Sequence, residues 1–139
     1  MTTTGVVVCA AVLAAAGVFG LLRRRVDGRL KVRRDDGERR LGVAELGAEL
    51  GERATLVQFS SAFCQPCRAT RRTLAEVAGM VEGVSHVELD AEQRLELVRE
   101  LGILKTPTVL VLDAAGRIVR RAAGQPRKVD VIAALGEAV

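Results

Sequence analysis

TLVQFSSAFCQPC, residues Thr55 to Cys67, contains two of the three cysteines of this chain of 139 residues. Its first half is a run of apolar and β-branched residues, which predicts a short buried strand. Beyond Gln65 the apolar residues recur with helical spacing, which predicts a helix as far as Met80. Cys64 and Cys67 are therefore expected where a strand ends and a helix begins.

The two cysteines have the position and spacing of a redox pair. A helix N-terminus exposes unpaired N–H groups that stabilise a thiolate, so Cys64 is predicted to be a nucleophile. Cys67 follows one turn later, within reach for a disulfide, and Pro66 suits a first turn. A zinc site would need four ligands, whereas the chain has one CxxC pair, one histidine and a third cysteine, Cys9, in an apolar segment. A pair of core cysteines is a further alternative, which the strand-to-helix junction disfavours.

The pattern after residue 41 predicts an α/β domain over residues 41–139. A short helix over 43–51 is followed by elements in the order β-α-β-α-β-β-α. The predicted strands are 55–61, 84–90, 108–113 and 117–122, and the predicted helices after the first strand are 65–80, 92–101 and 126–138. Strands that alternate with helices imply a parallel pair, and the close connection at 114–116 adds an antiparallel edge. The expected architecture is a small mixed sheet with helices on both faces.

Two motifs together resemble the thioredoxin superfamily. They are FCQPC after TLVQF, and ILKTPTVLVLDAAGRIV about forty residues later. The resemblance covers roughly residues 41–139 and implies the thioredoxin fold. It implies that the Thr106–Pro107 bond is cis and faces the dicysteine, with the Thr106 backbone docking substrate strands. It also implies that Gly124 lets a substrate approach closely, and that Phe63, Gln65 and Pro66 lie at the substrate-binding surface.

The chain departs from that family at several positions. Phe63 stands where the family usually has tryptophan, and Gln65-Pro66 replaces its usual Gly-Pro. Gln58 stands at the position of a buried aspartate that helps to deprotonate the second cysteine, and an amide cannot titrate. His86 matches the lysine partner of that aspartate. Because histidine titrates at about pH 6.5 when unperturbed, the hypothesis is that His86 serves Cys67 as proton acceptor or donor. A purely structural histidine is the alternative.

Residues 5–22, GVVVCAAVLAAAGVFGLL, are apolar or small without interruption. As a helix this run would rise about 27 Å, close to the thickness of the hydrocarbon core of a bilayer. It predicts a transmembrane anchor over residues 1–22. A cleaved signal peptide is the alternative, although no basic residue precedes the run.

Basic residues are concentrated directly after the anchor. Residues 23–40 hold nine Arg or Lys and four Asp or Glu, whereas residues 41–139 hold twelve basic and thirteen acidic residues. The basic excess therefore belongs to a juxtamembrane linker, interpreted as a tether with at most a short strand near Arg29–Arg33, and nucleic-acid binding is not expected. Because basic flanks stay preferentially in the cytoplasm, the domain is predicted on the cytoplasmic side of the cell membrane. The extracytoplasmic face is the alternative.

These interpretations predict a membrane-anchored reductase of protein disulfides. Cys64 would attack a substrate disulfide and Cys67 would resolve the mixed disulfide, without a bound cofactor or metal. Reduction is the expected direction in the cytoplasm, where thiols stay reduced. The electrons would come from another protein, which the sequence does not identify. The alternatives are a dedicated redox partner of one acceptor, such as a sulfurtransferase, a peroxidase or a cytochrome c maturation protein, and a redox-sensitive interaction module on the membrane.

Overall fold

A computed structural model describes residues 2–139. The order of strands and helices predicted after residue 41 is confirmed. The elements are α1 (Thr3–Val26), α2 (Val43–Leu46), β1 (Ala54–Ser60), α3 (Gln65–Met80), β2 (Val84–Asp90), α4 (Leu95–Leu101), β3 (Thr108–Asp113), β4 (Ile118–Ala123) and α5 (Lys128–Ala138). A one-turn 3₁₀ helix (Asp36–Glu38) lies between α1 and α2.

The four strands form one sheet in the order β2-β1-β3-β4. β1 pairs in parallel with β2 and antiparallel with β3, and β4 pairs antiparallel with β3. β1 lies inside the sheet, and all seven of its residues are buried. This is the mixed sheet of the thioredoxin fold. β1, one of its two interior strands, leads the chain directly to the dicysteine.

Helices cover both faces of the sheet. Successive side chains of a strand point to opposite faces, so β1 places apolar side chains on each of them. Val57 and Phe59 of β1 pack in one apolar cluster with residues of α2 and α4. Leu56 packs in the other cluster with residues of α3 and α5. Gln58 shares the parity of Leu56 and therefore points toward α3, the helix that begins just after Cys64.

Three helix boundaries differ from those that the sequence predicts. α2 ends after four residues, where Gly47 adopts a φ of +68°. α4 begins at Leu95, after a turn that includes Glu92, so the predicted start was three residues early. α5 begins at Lys128, and Pro126 lies before the helix rather than in its first turn.

The linker lies along β4, and its backbone pairs with that strand within the short strand that the sequence predicts near Arg29–Arg33. The Gly28 N–H donates to the Ala123 carbonyl at 2.8 Å. Lys31 and Arg121 exchange two backbone hydrogen bonds, of 2.7 and 2.8 Å, in a single antiparallel bridge. This pairing covers part of an edge strand whose backbone groups would otherwise be exposed.

A buried ion pair fastens the linker to the sheet. The Nε and Nη2 atoms of Arg121 donate to the Asp36 carboxylate at 2.8 and 2.6 Å, and Nη1 donates to the Leu101 carbonyl at 2.6 Å. The two charged side chains are only 13% and 4% exposed. Because a buried charge without a partner is costly, each of these groups depends on the other. The linker is thus packed as part of the domain.

α1 is a candidate membrane span. It has 24 residues, a mean hydropathy of 2.5 over its apolar window, and no part of that window buried within the structure. The helix continues beyond the predicted anchor, through Arg23, Arg24 and Arg25 to Val26. Its length, composition and position near the N-terminus fit a membrane span and also a signal sequence.

Candidate active site

The loop after β1 turns the chain from the sheet into α3. Phe63, the last residue before Cys64, adopts a φ of +58°, which is uncommon for a residue with a side chain. Its ring is fully exposed to solvent. Cys64 is the N-cap of α3 with extended backbone angles, and Pro66 lies in the first turn as predicted. The turn at Phe63 therefore places Cys64 at the N-terminus of α3, the positive end of the helix dipole.

Cys64 and Cys67 form a disulfide, with their Cα atoms 5.2 Å apart. Cys64 is partly exposed, whereas Cys67 is 1% exposed. The Cys67 N–H donates to the Cys64 Sγ at 3.2 Å. This donor and the N-terminus of α3 both favour negative charge on that sulfur in the reduced form. The Cys64 sulfur is therefore accessible to the disulfide of another protein. The buried Cys67 sulfur is accessible only to Cys64.

The loop before β3 meets the loop after β1. The Thr106–Pro107 peptide bond is cis, which confirms the expectation from the resemblance. The hydroxyls of Ser61 and Thr106 share a hydrogen bond of 2.7 Å. The Gly124 N–H, at the end of β4, donates to the Pro107 carbonyl at 2.8 Å. These contacts gather three loops at one end of the sheet, beside the dicysteine.

Gln58 lies beneath the dicysteine, and its buried amide is fully hydrogen-bonded. Its Nε2 donates to the Cys67 carbonyl at 2.8 Å and to the Ser60 hydroxyl at 2.9 Å. Its Oε1 lies 3.3 Å from the Nε2 of His86. Since the amide nitrogen already serves two acceptors, the amide oxygen is the acceptor for His86, and Nε2 of the ring carries the hydrogen.

Gln58 lies between His86 and the dithiol. The His86 ring contacts the Gln58 amide rather than a sulfur. The side chain is half-buried, and this burial lowers the pKa of His86 below its usual value. The nearby charge of Arg71 acts in the same direction, and that of Glu88 opposes it. Arg71 and Glu88 bind each other through two hydrogen bonds of 2.6 Å, which raises the pKa of Arg71. His86 is therefore expected to be neutral at neutral pH.

The predicted substrate-binding residues do not all face solvent. Phe63, Gln65 and Pro66 are exposed beside Cys64. Thr106 is partly exposed, whereas Pro107 and Gly124 are buried, and the carboxylate of Asp27 lies against Gly124. A Cβ atom added at Gly124, where φ is +104°, would lie 2.6 Å from the carboxylate carbon. In this structure the chain's own linker occupies the approach to this glycine.

Sequence reasoning missed four polar residues at this end of the sheet. Ser60 and Ser61 carry a local signal, since they are polar residues directly after a buried strand. Asp27 and Lys105 form an ion pair across a separation of 78 residues. No local pattern indicates that pair, because it depends on how the linker packs on β4.

Comparison with known proteins identifies the family. A family model described as Thioredoxin matches residues 44–137, more than half of the chain. The chain therefore belongs to the thioredoxin family. The matched range contains the dicysteine, the cis-proline loop and all four strands.

Individual relatives agree with this assignment. Thioredoxin from Alicyclobacillus acidocaldarius subsp. acidocaldarius is 32% identical over 88 residues, which cover 63% of this chain and 83% of that protein. Thioredoxin domain-containing protein 2 from Homo sapiens is 40% identical over 60 residues, or 43% of this chain and 11% of that protein. The chain thus spans about a tenth of the human relative.

A solved structure shares the fold. The short form of thioredoxin f from spinach chloroplast aligns with a TM-score of 0.55 at 24% identity, over 63% of this chain and 78% of that one. The family and the Cys64–Cys67 pair together support thiol–disulfide oxidoreductase activity in general.

Proposed function

We propose that this protein is a membrane-anchored reductase of protein disulfides that works through Cys64 and Cys67. The observation that carries the proposal is the difference in burial between the two sulfurs. Cys64 is partly exposed at the N-terminus of α3, and Cys67 is buried directly behind it. In such a pair, the exposed thiol attacks the substrate disulfide and the buried thiol resolves the mixed disulfide.

The reaction transfers two electrons from the dithiol to the substrate. The Cys64 thiolate attacks one substrate sulfur, so a mixed disulfide forms, the substrate disulfide breaks and the other substrate sulfur leaves as a thiolate that takes up a proton. The Cys67 thiol then loses its proton and attacks the Cys64 Sγ. This step breaks the mixed disulfide, releases the second substrate thiol and leaves the Cys64–Cys67 disulfide.

Another protein must reduce the Cys64–Cys67 disulfide before the next turnover. We propose a protein dithiol as the electron donor, because the exchange chemistry needs no bound cofactor. Thr106 and Pro107 are proposed to hold the substrate chain beside Cys64, together with the exposed residues Phe63, Gln65 and Pro66. Gly124 would join this surface only when Asp27 moves away from it.

For His86 we propose a positioning role through Gln58. Its N–H holds the amide oxygen of Gln58, so that the amide nitrogen faces the Cys67 carbonyl. An amide does not titrate, so Gln58 cannot itself carry a proton from Cys67, and the proton-shuttle role predicted for His86 would require the ring to reach the sulfur. His86→Asn distinguishes the two roles. A shuttle predicts a changed pH dependence of disulfide exchange, whereas positioning predicts a lower rate with the same pH profile.

The reductase proposal is tested by turnover of the full chain on insulin with dithiothreitol as electron source. The protein is expected to accelerate insulin reduction, and Cys64→Ser is expected to abolish the effect. Cys67→Ser, reduced beforehand and separated from dithiothreitol, should accumulate a mixed disulfide with the substrate, because no thiol is then present to resolve it. Cys9→Ser is the matched cysteine control. No acceleration, together with one specific protein trapped by Cys67→Ser, would contradict a general reductase and favour a dedicated redox partner.

We propose that α1 anchors the protein in the cell membrane with the domain in the cytoplasm. The apolar run of α1 and the basic residues that follow it support this orientation. A membrane-impermeant thiol reagent applied to intact cells tests it in a Cys9→Ser background after mild reduction. Cys64 should be labelled only after the cells are opened. Labelling in intact cells would place the domain outside and remove the argument for reduction over oxidation.

A further inference from the structure

A cavity of about 450 Å³ lies between the end of α1, the linker and β4. Six of its ten lining residues are cationic. The cationic residues are Arg23, Arg29, Lys31, Arg33, Lys105 and Arg121, and Asp27 is the one carboxylate among the lining residues that the structure describes. We call this space the basic cavity.

The basic cavity adjoins the loops of the redox site. Lys105 directly precedes Thr106 of the cis bond, and Ala123, which also lines the cavity, directly precedes Gly124. Asp27 bridges the two loops, because its carboxylate pairs with Lys105 Nζ and lies against Gly124. A carboxylate thus already occupies the place where the cavity meets the proposed docking surface.

Much of the positive charge in the basic cavity is not neutralised. Arg121 is paired with Asp36, and Arg33 Nη1 donates to the Leu101 carbonyl at 3.0 Å. Arg23, Arg29 and Lys31 have no carboxylate partner within residues 2–139. A concave surface lined by one sign of charge concentrates ligands of the opposite sign.

We propose that the basic cavity binds an acidic segment next to the cysteines of a protein substrate. The inference rests on the proposed reductase function and gives it a substrate class. A substrate carboxylate displaces Asp27 from Lys105 and Gly124, and the unneutralised cations bind further acidic residues of the same segment. Asp27 is in this sense an internal stand-in for the substrate. An anionic lipid headgroup would meet similar cations, but the contact of the cavity with the cis-proline loop favours a peptide that reacts at Cys64.

The test compares two synthetic peptides of equal length, each with one internal disulfide. They differ only in two positions beside the cysteines, which are Asp in one peptide and Asn in the other. The full chain in nanodiscs of phosphatidylcholine is expected to reduce the acidic peptide with a kcat/KM about three- to fivefold higher. The ratio should approach one at about 1 M salt, where screening is nearly complete.

Lys31→Gln isolates the cavity, because Lys31 is held to β4 through its backbone and its side chain can be changed without breaking that bridge. This variant should lower the ratio of acidic to neutral peptide. Lys128→Gln is the matched control, since Lys128 pairs with Glu76 and does not line the cavity, and it should leave the ratio unchanged. Asp27→Asn removes the competing carboxylate and should raise the ratio.

Equal rates for the two peptides, in the wild type and in Asp27→Asn, would overturn the docking proposal while leaving the reductase function intact. Failure to reduce either peptide or 2-hydroxyethyl disulfide would instead contradict the reductase function itself. Equal peptide rates combined with thermal stabilisation by phosphatidylglycerol nanodiscs that is lost in Lys31→Gln would overturn the peptide proposal in favour of a lipid headgroup.

Discussion

Gln58 places a neutral amide at a fully buried position directly beneath the reactive sulfurs. A carboxylate at this position would be costly without a charged partner. The amide avoids that cost, because each of its polar atoms has a hydrogen-bond partner in Ser60, Cys67 or His86. The residue that titrates in this network is therefore His86, at the edge of the buried region.

The lowered pKa of His86 makes stability depend on pH. In the unfolded chain the imidazole titrates at about pH 6.5, whereas the folded protein binds that proton only at lower pH. The unfolded state thus binds more protons in this window, so the free energy of unfolding should rise as the pH rises toward about 6.5 and fall as the pH drops below it. Urea unfolding of the wild type and of His86→Gln at several pH values measures this.

His86→Gln should make the pH dependence of stability shallower between about pH 5 and about pH 7. His86 is the single histidine of the chain, so no other histidine contributes to the difference. Parallel curves for the two proteins would show that the folded and unfolded pKa values of His86 are equal, contrary to the burial of its ring.

Thr70 of α3 differs from Gln58, because its buried hydroxyl has no hydrogen-bond partner among the described residues. Thr70→Val replaces this hydroxyl by a methyl group of similar size. The free energy of unfolding is expected to rise by about 1 kcal/mol, measured by urea denaturation. Thr55→Val is the matched control, because the Thr55 hydroxyl accepts a hydrogen bond of 2.9 Å from the Gly51 N–H. It should lose about 1 kcal/mol, and a loss of equal size at Thr70 would contradict the argument.

The linker acts as an additional edge for the sheet, and the Asp36–Arg121 pair is its strongest attachment. Asp36→Ala leaves the Arg121 guanidinium largely buried without its counterion. The free energy of unfolding should fall by about 3 kcal/mol. Asp35→Ala changes the neighbouring exposed carboxylate and should alter stability by less than about 0.5 kcal/mol. Equal effects of the two variants would show that the linker pair does not contribute to folding.

Helices and strands could be predicted from the sequence where their signals are local. The apolar run of β1, the helical spacing of α3 and the CxxC pair at their junction all lie within one short stretch. The helix boundaries were less accurate, because α2 and α4 are short and their ends depend on turns such as the one at Gly47.

The sequence predicts a short strand in the linker, but the side-chain contacts of Asp27 and Asp36 could not be predicted from it. Residues 23–40 have a charged composition that is typical of solvated segments. The burial of Asp36 depends on Arg121, which is 85 residues away. The same difficulty applies to the site, where Asp27 reaches Gly124 only because the linker pairs with β4.

Across the whole molecule, the linker contacts predict that the stable folded unit begins before residue 41. A chain that starts at Leu41 lacks Asp36 and the Lys31 bridge, whereas a chain that starts at Gly28 keeps both. The shorter chain should unfold at a lower urea concentration than the longer one. Equal midpoints would support the boundary at residue 41 that the sequence predicts.

The connection between α1 and the redox site is short. The apolar run ends at Leu22, and Asp27, which contacts Lys105 of the cis-proline loop, follows about 7.5 Å further along the helix axis. With α1 across a bilayer, no long flexible linker would separate the dithiol from the membrane. The dithiol would stay close to the lipid headgroups, and it would react only with partners whose cysteines lie near the membrane surface.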